Sequence, residues 1–275
     1  MSDKDLNKIN AGSSEGTSVI SAPYWKTGCA QHIGSRGEQQ DKMGTVWGSF
    51  HDRPALLAVL ADGMGGMENG AAFSRIAVDF QLENFQRILD SAKHLPYALL
   101  SLALQANAEA HKIYDENKPG GTTLVTALFF DDRFYTLSVG DSRACLYRRN
   151  EKLGSFVPLQ LNREHVLGAA LDESAWMGRI SFDDAENNMY RASLTSSIGG
   201  SRIRHIDLAE HPTRFIIGDR VALLSDGVYG SLTEMEIAAD MEKDPAEAAA
   251  AIVRHVCRKK IPHQDNMSIL IVERI

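Results

Sequence analysis

Short apolar runs separated by polar turns recur along the chain and predict blocks of strands and blocks of helices. Several runs are too continuously apolar for a strand with one solvent-facing side. We expect strands over residues 56–60, 122–130, 134–139, 143–148, 214–217, 220–224 and 267–272. The turn pairs Asp131-Asp132 and Gly218-Asp219 each predict a hairpin between the runs that flank them.

Helical spacing of apolar residues predicts helices over residues 70–89, 96–117, 233–242 and 245–260. Pro96 and Pro245 stand in first-turn positions, and Asp244 is a candidate N-cap. Because strands joined by hairpins and helices fall into separate blocks, the order indicates an α+β fold. Two stacked antiparallel sheets flanked by helices, a four-layer α-β-β-α sandwich, would cover the apolar faces.

Differences in polarity along the chain predict an N-terminal segment, one domain and an insert within that domain. Residues 1–20 are rich in Ser, Gly, Asp and Lys, and we expect a flexible N-terminal segment. Residues 21–275 carry the strand and helix patterns and form one predicted domain. Within it, the irregular, polar stretch at residues 166–191 is expected to be a small surface insert beside the site.

Composition excludes several classes of protein. The 275 residues include 29 Lys and Arg against 36 Asp and Glu, a net charge of −7. This balance argues against nucleic-acid and anionic-membrane partners, which need a basic surface. The three cysteines are far apart, so no disulfide framework or zinc knuckle is indicated. There is no signal-type segment and no uncharged apolar run of about 18 residues, so we expect a cytoplasmic protein without membrane spans.

Four aspartates stand at the ends of apolar strands, namely Asp62, Asp141, Asp226 and Asp265. Aspartate is a poor strand residue, and each Asp-Gly pair alone is well explained as an ordinary turn. As a set, the four predict strand ends that converge on one polar site. Carboxylates are the ligands that hard divalent cations prefer, and two such ions about 3.5–4 Å apart can hold a phosphate for in-line attack.

Six short motifs occur in a fixed order along the chain. They are SRGEQQD (35–41), ADGMGG (61–66), GTT (121–123), VGDSR (139–143), LSDG (224–227) and QDNMS (264–268). In this order and spacing they resemble the metal-dependent protein serine/threonine phosphatases of the protein phosphatase 2C type. The resemblance covers residues 25–273 and implies two antiparallel sheets flanked by helices, with Mn²⁺ or Mg²⁺ in a cleft at one end.

The resemblance also implies a role for each acidic residue. It implies that Asp62 bridges two ions and that Gly63 offers its carbonyl oxygen. Asp226 and Asp265 would hold one of those ions. Asp41, with Gln40 beside it, would lie behind the ligands or contact a metal-bound water.

Two further residues gain roles from the resemblance. Asp141 corresponds to the residue that binds a third, weaker ion in many bacterial members, and Arg36 to the arginine that holds the substrate phosphate.

Three residues depart from the family pattern. Gly230 replaces an acidic residue that helps hold the third ion in some members, so whether a third ion binds stays open. Met64 stands where animal-type members carry a proposed general acid, which points to the bacterial branch and leaves the proton donor unassigned. Gln39 replaces the usual Asn, which affects a supporting hydrogen bond.

Other polar residues have simpler interpretations. We expect His165 to make a structural polar contact and Arg143 to form a structural ion pair near the site. Ser142 lacks a nucleophile-elbow context, and Cys145 is expected to pack inside a strand. Trp176 fits a peptide contact and ordinary packing about equally.

The function implied is hydrolysis of phosphoserine and phosphothreonine on proteins, by a metal-bridging hydroxide that attacks phosphorus directly. Its partners would be phosphorylated proteins, targets of a serine/threonine kinase, and the enzyme would be a monomer. One alternative is a catalytically inactive scaffold on the same fold, although such modules usually lose metal carboxylates. Another is a phosphatase with an aspartyl nucleophile, which requires Asp-x-Asp, but Leu60 stands two residues before Asp62.

Overall fold

The structure, a computed structural model, describes residues 24–64, 69–117 and 120–275. The segment predicted to be flexible, residues 1–20, lies outside this part of the chain. Within it, two sheets contain all the named strands, and every pairing between those strands is antiparallel.

Five strands form the first sheet, called sheet A here. They are β1 (Trp25–His32), β6 (Arg143–Asn150), β7 (Ser155–Gln160), β10 (Arg220–Leu224) and β11 (Met267–Arg274). Their order across the sheet is β1-β11-β10-β6-β7. The chain's last strand therefore lies between its first strand and β10, so the two ends of the described domain are joined through this sheet.

The second sheet, sheet B, contains the remaining strands. They are β2 (Asp41–Phe50), β3 (Arg53–Asp62), β4 (Leu124–Phe130), β5 (Arg133–Val139), β8 (Asp207–Leu208) and β9 (Thr213–Arg214). The order is β2-β3-β4-β5-β8, and β9 pairs with β5 as well.

Helices cover the outer face of each sheet. In the described residues they are α1 (Gly70–Ser91), α2 (Leu95–His111), α3 (Leu167–Trp176), α4 (Phe182–Glu186), α5 (Asp226–Tyr229), α6 (Glu234–Asp240) and α7 (Pro245–Lys259). Helices α1 and α2 pack on sheet B, whereas α6 and α7 pack on sheet A. The four-layer α-β-β-α sandwich is thus confirmed.

Buried apolar side chains form one cluster between each pair of layers. The cluster between the two sheets includes Trp25, Phe129, Phe134 and Phe215, which are at most 1 % exposed. Phe129 and Phe215 have ring centroids 5.1 Å apart. Burying an aromatic or aliphatic side chain of this size contributes about 1.5–3 kcal/mol. The inter-sheet cluster therefore fixes the two sheets against each other, which matters because the carboxylates of interest come from both.

Most predicted helices agree with the structure. Those predicted over residues 70–89 and 245–260 correspond to α1 and α7 within two residues. The Asp244 side chain accepts a hydrogen bond from the amide of Ala246 at 3.4 Å, as expected of an N-cap. The helix predicted over residues 96–117 ends at His111, because a turn follows through Lys112 and Ile113.

The hairpin predicted at Gly218-Asp219 is wrong. Strand β9 ends at Arg214 and pairs with β5 in sheet B, whereas β10 lies in sheet A. The turn therefore carries the chain from one sheet to the other, and Phe215 is buried between them. The strand predicted over residues 214–217 is also wrong beyond Arg214. In contrast, Phe130 pairs with Arg133 around Asp131-Asp132, which confirms that hairpin.

Strands β1, β2 and β7 were not among the predicted strands. The insert at residues 166–191 is more regular than expected, since it contains α3 and α4. No helix in the described ranges is long and apolar enough to cross a bilayer.

Candidate active site

Two of the predicted aspartates lie side by side at one end of sheet B. Asp41 begins β2 and Asp62 ends β3, and because the strands are antiparallel they are register partners. The backbone around Asp62 is fixed by the next strand. Its amide donates to Thr123 Oγ1 at 2.9 Å, and its carbonyl accepts from Thr122 Oγ1 at 2.8 Å and from the Thr123 amide at 2.9 Å. The Asp62 carboxylate therefore projects from a rigid strand end.

Gly63, which follows this carboxylate, occupies a position where the backbone is crowded. A Cβ atom there would lie 2.5 Å from the Gly70 carbonyl oxygen and 2.6 Å from the Gln40 carbonyl oxygen. The Gly63 amide donates to that same Gln40 oxygen at 3.1 Å. Since the obstructing atoms belong to the backbone, only glycine fits without moving β2 or the start of α1.

Sheet A brings its own carboxylate to the same end. Strand β10 ends at Leu224, and Asp226 begins α5 two residues later. Between them, buried Ser225 donates from Oγ to Asp41 Oδ2 at 3.0 Å and accepts from the Ser268 amide at 2.9 Å. Ser225 thus connects β2 of one sheet to β10 and β11 of the other.

Asn266 holds the loop between β1 and β2 against the start of β11. Its side-chain amide donates to the carbonyl oxygens of Ile33 and Glu38 at 2.9 and 3.1 Å. Its Oδ1 accepts from the Gln40 amide at 2.8 Å. The loop carries Arg36, whose Nη2 lies 2.7 Å from Asp265 Oδ2. Both of these partners are partly exposed, so the pair lies at the rim of the site.

Asp141 follows β5 in a turn made possible by Gly140, which has φ +99°. His165 fixes this turn twice. Its Nδ1 accepts from the Gly140 amide at 3.1 Å, and its own amide donates to the Gly140 carbonyl at 2.9 Å. The Asp141 carbonyl accepts from the Tyr229 hydroxyl at 3.1 Å. The expected structural contact of His165 is therefore present.

Arg143 forms the structural ion pair that we expected near the site, with Glu164 as its partner. Its Nε donates to Glu164 Oε1 at 2.6 Å, and its guanidinium lies 3.8 Å from the ring centroid of Tyr229. Ser142 shares a hydrogen bond with Thr123 at 2.7 Å, and Cys145 is 3 % exposed, so both have structural surroundings.

The electrostatics of the cluster indicate carboxylates crowded together in a dry place. Burial raises the pKa of Asp62 well above its usual range, and the charges of Asp41, Asp226 and Asp141 raise it further. Burial and the nearby Asp226 raise the pKa of Asp141 to about 7, and burial raises the pKa of Asp41 to about 6. The pKa of Asp226 is raised by burial and then by Asp265. A cation among these groups would relieve both desolvation and mutual repulsion.

Two buried oxygens in the cluster have no hydrogen-bond partner, Asp41 Oδ1 and Asp226 Oδ1. Buried polar atoms are normally satisfied, so these two oxygens are suited to accept a further ligand. The charged side chains of the cluster that could bind a metal are all carboxylates, which are ligands that suit Mn²⁺ or Mg²⁺. In the described ranges, no group of three or more His, Cys, Asp or Glu side chains is arranged as a ready-made metal site. The residues therefore fit a divalent cation chemically, with side-chain adjustment as it binds.

A groove of about 1560 Å³, called the insert groove here, runs from this cluster beneath the insert. Asp141, Asp226 and Tyr229 line its inner end, and Trp176 lines the outer end. Trp176 is 81 % exposed and contacts Phe182 edge-on, with ring centroids 5.4 Å apart. Its position fits the peptide contact that the sequence left open.

A second large groove, of about 1280 Å³, lies at the opposite end of the sheets. There Asp131 pairs with Arg53 and Asp132 with Arg133. Both acidic groups of the β4–β5 turn therefore already have cationic partners.

Several residues that organise the site were not predicted, namely Thr122, Ser225, Tyr229 and the side-chain bonds of Asn266. Each lies inside or beside one of the six motifs. Only that adjacency could have pointed to them, because Ser, Thr and Asn are common in turns.

The comparison with known proteins agrees with this geometry. The sequence profile described as Protein phosphatase 2C matches residues 29–258. The chain belongs to the protein phosphatase 2C family. The predicted family and enzyme class, a protein serine/threonine phosphatase, are thereby confirmed.

Bacterial relatives support the predicted branch of the family. The chain is 28% identical over 224 residues to the serine/threonine phosphatase stp of Listeria monocytogenes, covering 79% of this chain and 84% of that protein. It is 25% identical over 232 residues to the serine/threonine protein phosphatase PstP of Mycobacterium tuberculosis, covering 80% of this chain and 40% of that protein.

Solved structures share the fold. The Streptococcus agalactiae serine/threonine phosphatase superposes with a TM-score of 0.71 at 23% identity, over 91% of this chain and 99% of that one. The PstP catalytic domain solved with two manganese ions superposes with a TM-score of 0.69 at 22% identity, over 92% and 99%.

Proposed function

We propose that this phosphatase hydrolyses phosphoserine and phosphothreonine esters on proteins at a divalent-metal centre formed by Asp62, Asp226 and Asp265. The observation that carries the proposal is the meeting of carboxylates from both sheets at one end of the sandwich, with buried, unpartnered oxygens on Asp41 and Asp226. A pair of Mn²⁺ or Mg²⁺ ions would supply the attacking hydroxide and neutralise the phosphate.

Each residue of the cluster has a distinct part in this proposal. Asp62 would be the central ligand, since it lies among the other carboxylates and its pKa is raised by three of them. Gly63 would contribute its carbonyl oxygen, and the crowding around its Cα explains why no side chain stands there. Asp41 lies behind Asp62, tied to Ser225, and orients the ligands. Asp141, at the inner end of the insert groove, is the candidate for a third ion.

Arg36 is the proposed phosphate-binding residue. In the structure its guanidinium is paired with Asp265. If Asp265 were to bind a cation, Arg36 would lose this partner and its forked donors would be free for the phosphate oxygens.

The test is turnover of a phosphothreonine peptide with and without Mn²⁺. Asp62→Asn keeps the shape of the side chain and removes the charge, so we expect a loss of about 10²–10³-fold or more in kcat. Asp183→Asn, an exposed change in the insert, is the matched control and should behave as wild type. An unchanged rate in Asp62→Asn would refute the assignment.

The physiological substrates follow by inference from the activity. Phosphoserine and phosphothreonine on proteins are made by serine/threonine kinases, and we propose that this enzyme reverses such a kinase as a monomer. The inactive-scaffold alternative predicts no metal affinity, so calorimetry with Mn²⁺ separates it from the proposal.

A further inference from the structure

The loop that follows the insert carries two exposed arginines beside the proposed metal centre. Arg202 and Arg204 line a groove of about 890 Å³, called the Met64 groove here, together with Met64 and Ser197. Arg204 also lines the insert groove, as does Thr195. The two grooves therefore share a wall at Arg204, and one of them reaches Asp226 while the other reaches Met64, two residues after Asp62.

Both guanidinium groups are available to a ligand. Within the described ranges neither Arg202 nor Arg204 has an ion-pair or hydrogen-bond partner for its side chain, whereas Arg143 and Arg191 in the same region are paired with acids. Ile203, between the two arginines, packs against the core cluster beneath sheet B. This packing turns the hydrophobic side chain inward and leaves its two neighbours exposed.

The backbone that carries these arginines is held in place at several points. Ser196 Oγ donates to the His205 carbonyl at 2.8 Å and accepts from the His205 amide at 2.9 Å, which closes the loop at its base. Ile198 forms a two-way bridge with Thr122, the residue whose hydroxyl binds the Asp62 carbonyl. Asn107 fixes Gly199 and Gly200 from α2. The loop is thus tied to the same strand end as the metal centre.

We propose that Arg204, assisted by Arg202, selects phosphopeptides with an acidic residue beside the phosphorylated one. A peptide whose phosphate reaches the carboxylate end would lie along one or both grooves and pass Arg204. Guanidinium groups bind carboxylates with two parallel hydrogen bonds. The whole protein has a net charge of −7, which would disfavour acidic peptides, so the two arginines would provide the local attraction. This inference rests on the proposed function and adds the substrate class.

The experiment compares phosphothreonine peptides that carry a single Asp, Ala or Lys at each flanking position in turn. Turnover of p-nitrophenyl phosphate with Mn²⁺ reports on the metal centre alone. For wild type we expect kcat/KM to favour the best-placed Asp peptide over its Lys counterpart by about 3–10-fold, because an exposed attraction of up to about fivefold combines with repulsion of the Lys peptide. Arg204→Glu should reverse that order, and Arg202→Glu should weaken it.

Arg133→Glu is the matched control, because Arg133 is an exposed arginine at the opposite end of the sheets. It should keep the wild-type order of peptides. Wild type without any flanking preference would overturn the inference while leaving the proposed function intact. So would an Arg204→Glu variant that loses p-nitrophenyl phosphate and every peptide by one common factor, since Arg204 would then act on the phosphate or the fold. Absence of Mn²⁺-dependent turnover of p-nitrophenyl phosphate by wild type would overturn the proposed function itself.

Discussion

Replacing Asp141 with Asn should stabilise the metal-free protein, and the gain should depend on pH. The pKa of Asp141 is raised from 3.8 to about 7, chiefly by burial and then by Asp226. The difference is 7 − 3.8, or about 3 pKa units, and each unit corresponds to about 1.4 kcal/mol. The ionised carboxylate therefore costs the folded state up to about 4 kcal/mol, and relaxation and water entry reduce this to about 2–4 kcal/mol.

The sign follows from proton binding. Between the unfolded pKa near 4 and the folded pKa near 7, the folded protein holds a proton that the unfolded chain has released. Wild type therefore loses stability as pH rises through this window. Asp141→Asn has no such proton, so its advantage over wild type should be near zero at pH 4 and full above pH 7.

Urea unfolding in the presence of a chelator, at a series of pH values, measures this difference. Glu151→Gln, an exposed carboxylate in the β6–β7 turn, is the control and should track wild type throughout. The reasoning would be refuted if Asp141→Asn were no more stable than wild type at pH 8, or if its advantage were the same at pH 4.

Three further substitutions separate the site from the scaffold. Gly63→Ala places a methyl group 2.5 Å from the Gly70 carbonyl oxygen and should cost about 1–3 kcal/mol in urea unfolding, with most Mn²⁺-dependent activity lost; wild-type turnover would contradict this. Asn266→Ala removes three hydrogen bonds to the Arg36 loop, so KM for phosphopeptides should rise more than kcat falls in steady-state assays. Asp219 is 2 % exposed and makes a two-point ion pair with Arg148 at 2.9 and 2.6 Å. Because Arg148 is 42 % exposed and stays solvated without its partner, Asp219→Asn should cost about 1–3 kcal/mol in thermal unfolding, while kcat of the folded enzyme stays unchanged.

Two of the strands that the sequence failed to predict, β1 and β2, share a physical cause. In β1, Gly28 packs so closely on α7 that a Cβ would lie 2.2 Å from the backbone of Pro245 and Ala246. In β2, a Cβ at Gly44 would lie 2.6 Å from the Leu82 side chain of α1, and one at Gly48 would lie 2.9 Å from the Phe85 ring. A glycine that allows close contact with a helix distant in sequence also weakens the local strand pattern. Its presence in the strand is therefore explained only by the tertiary structure.

The sequence predicts part of the candidate site and not all of it. Asp62 ends β3 and Asp226 follows β10 by two residues, and both strands have clear apolar runs, so the pattern and the six motifs predict that the two residues lie close together. The cross-sheet bond from Ser225 to Asp41 could not be predicted, because nothing local distinguishes that serine from one in an ordinary turn. The Gly218-Asp219 turn was misassigned for a related reason, since its sequence fits a hairpin equally well and only the pairing of β9 with β5 shows otherwise.

The most direct test of the metal centre is a crystal structure of the protein soaked with Mn²⁺, using anomalous scattering to locate the ions. We expect manganese peaks bound by the carboxylates of Asp62, Asp226 and Asp265, with Arg36 released from Asp265. Manganese bound elsewhere, or no peak within ligand distance of Asp62 at saturating metal, would contradict the proposed metal centre.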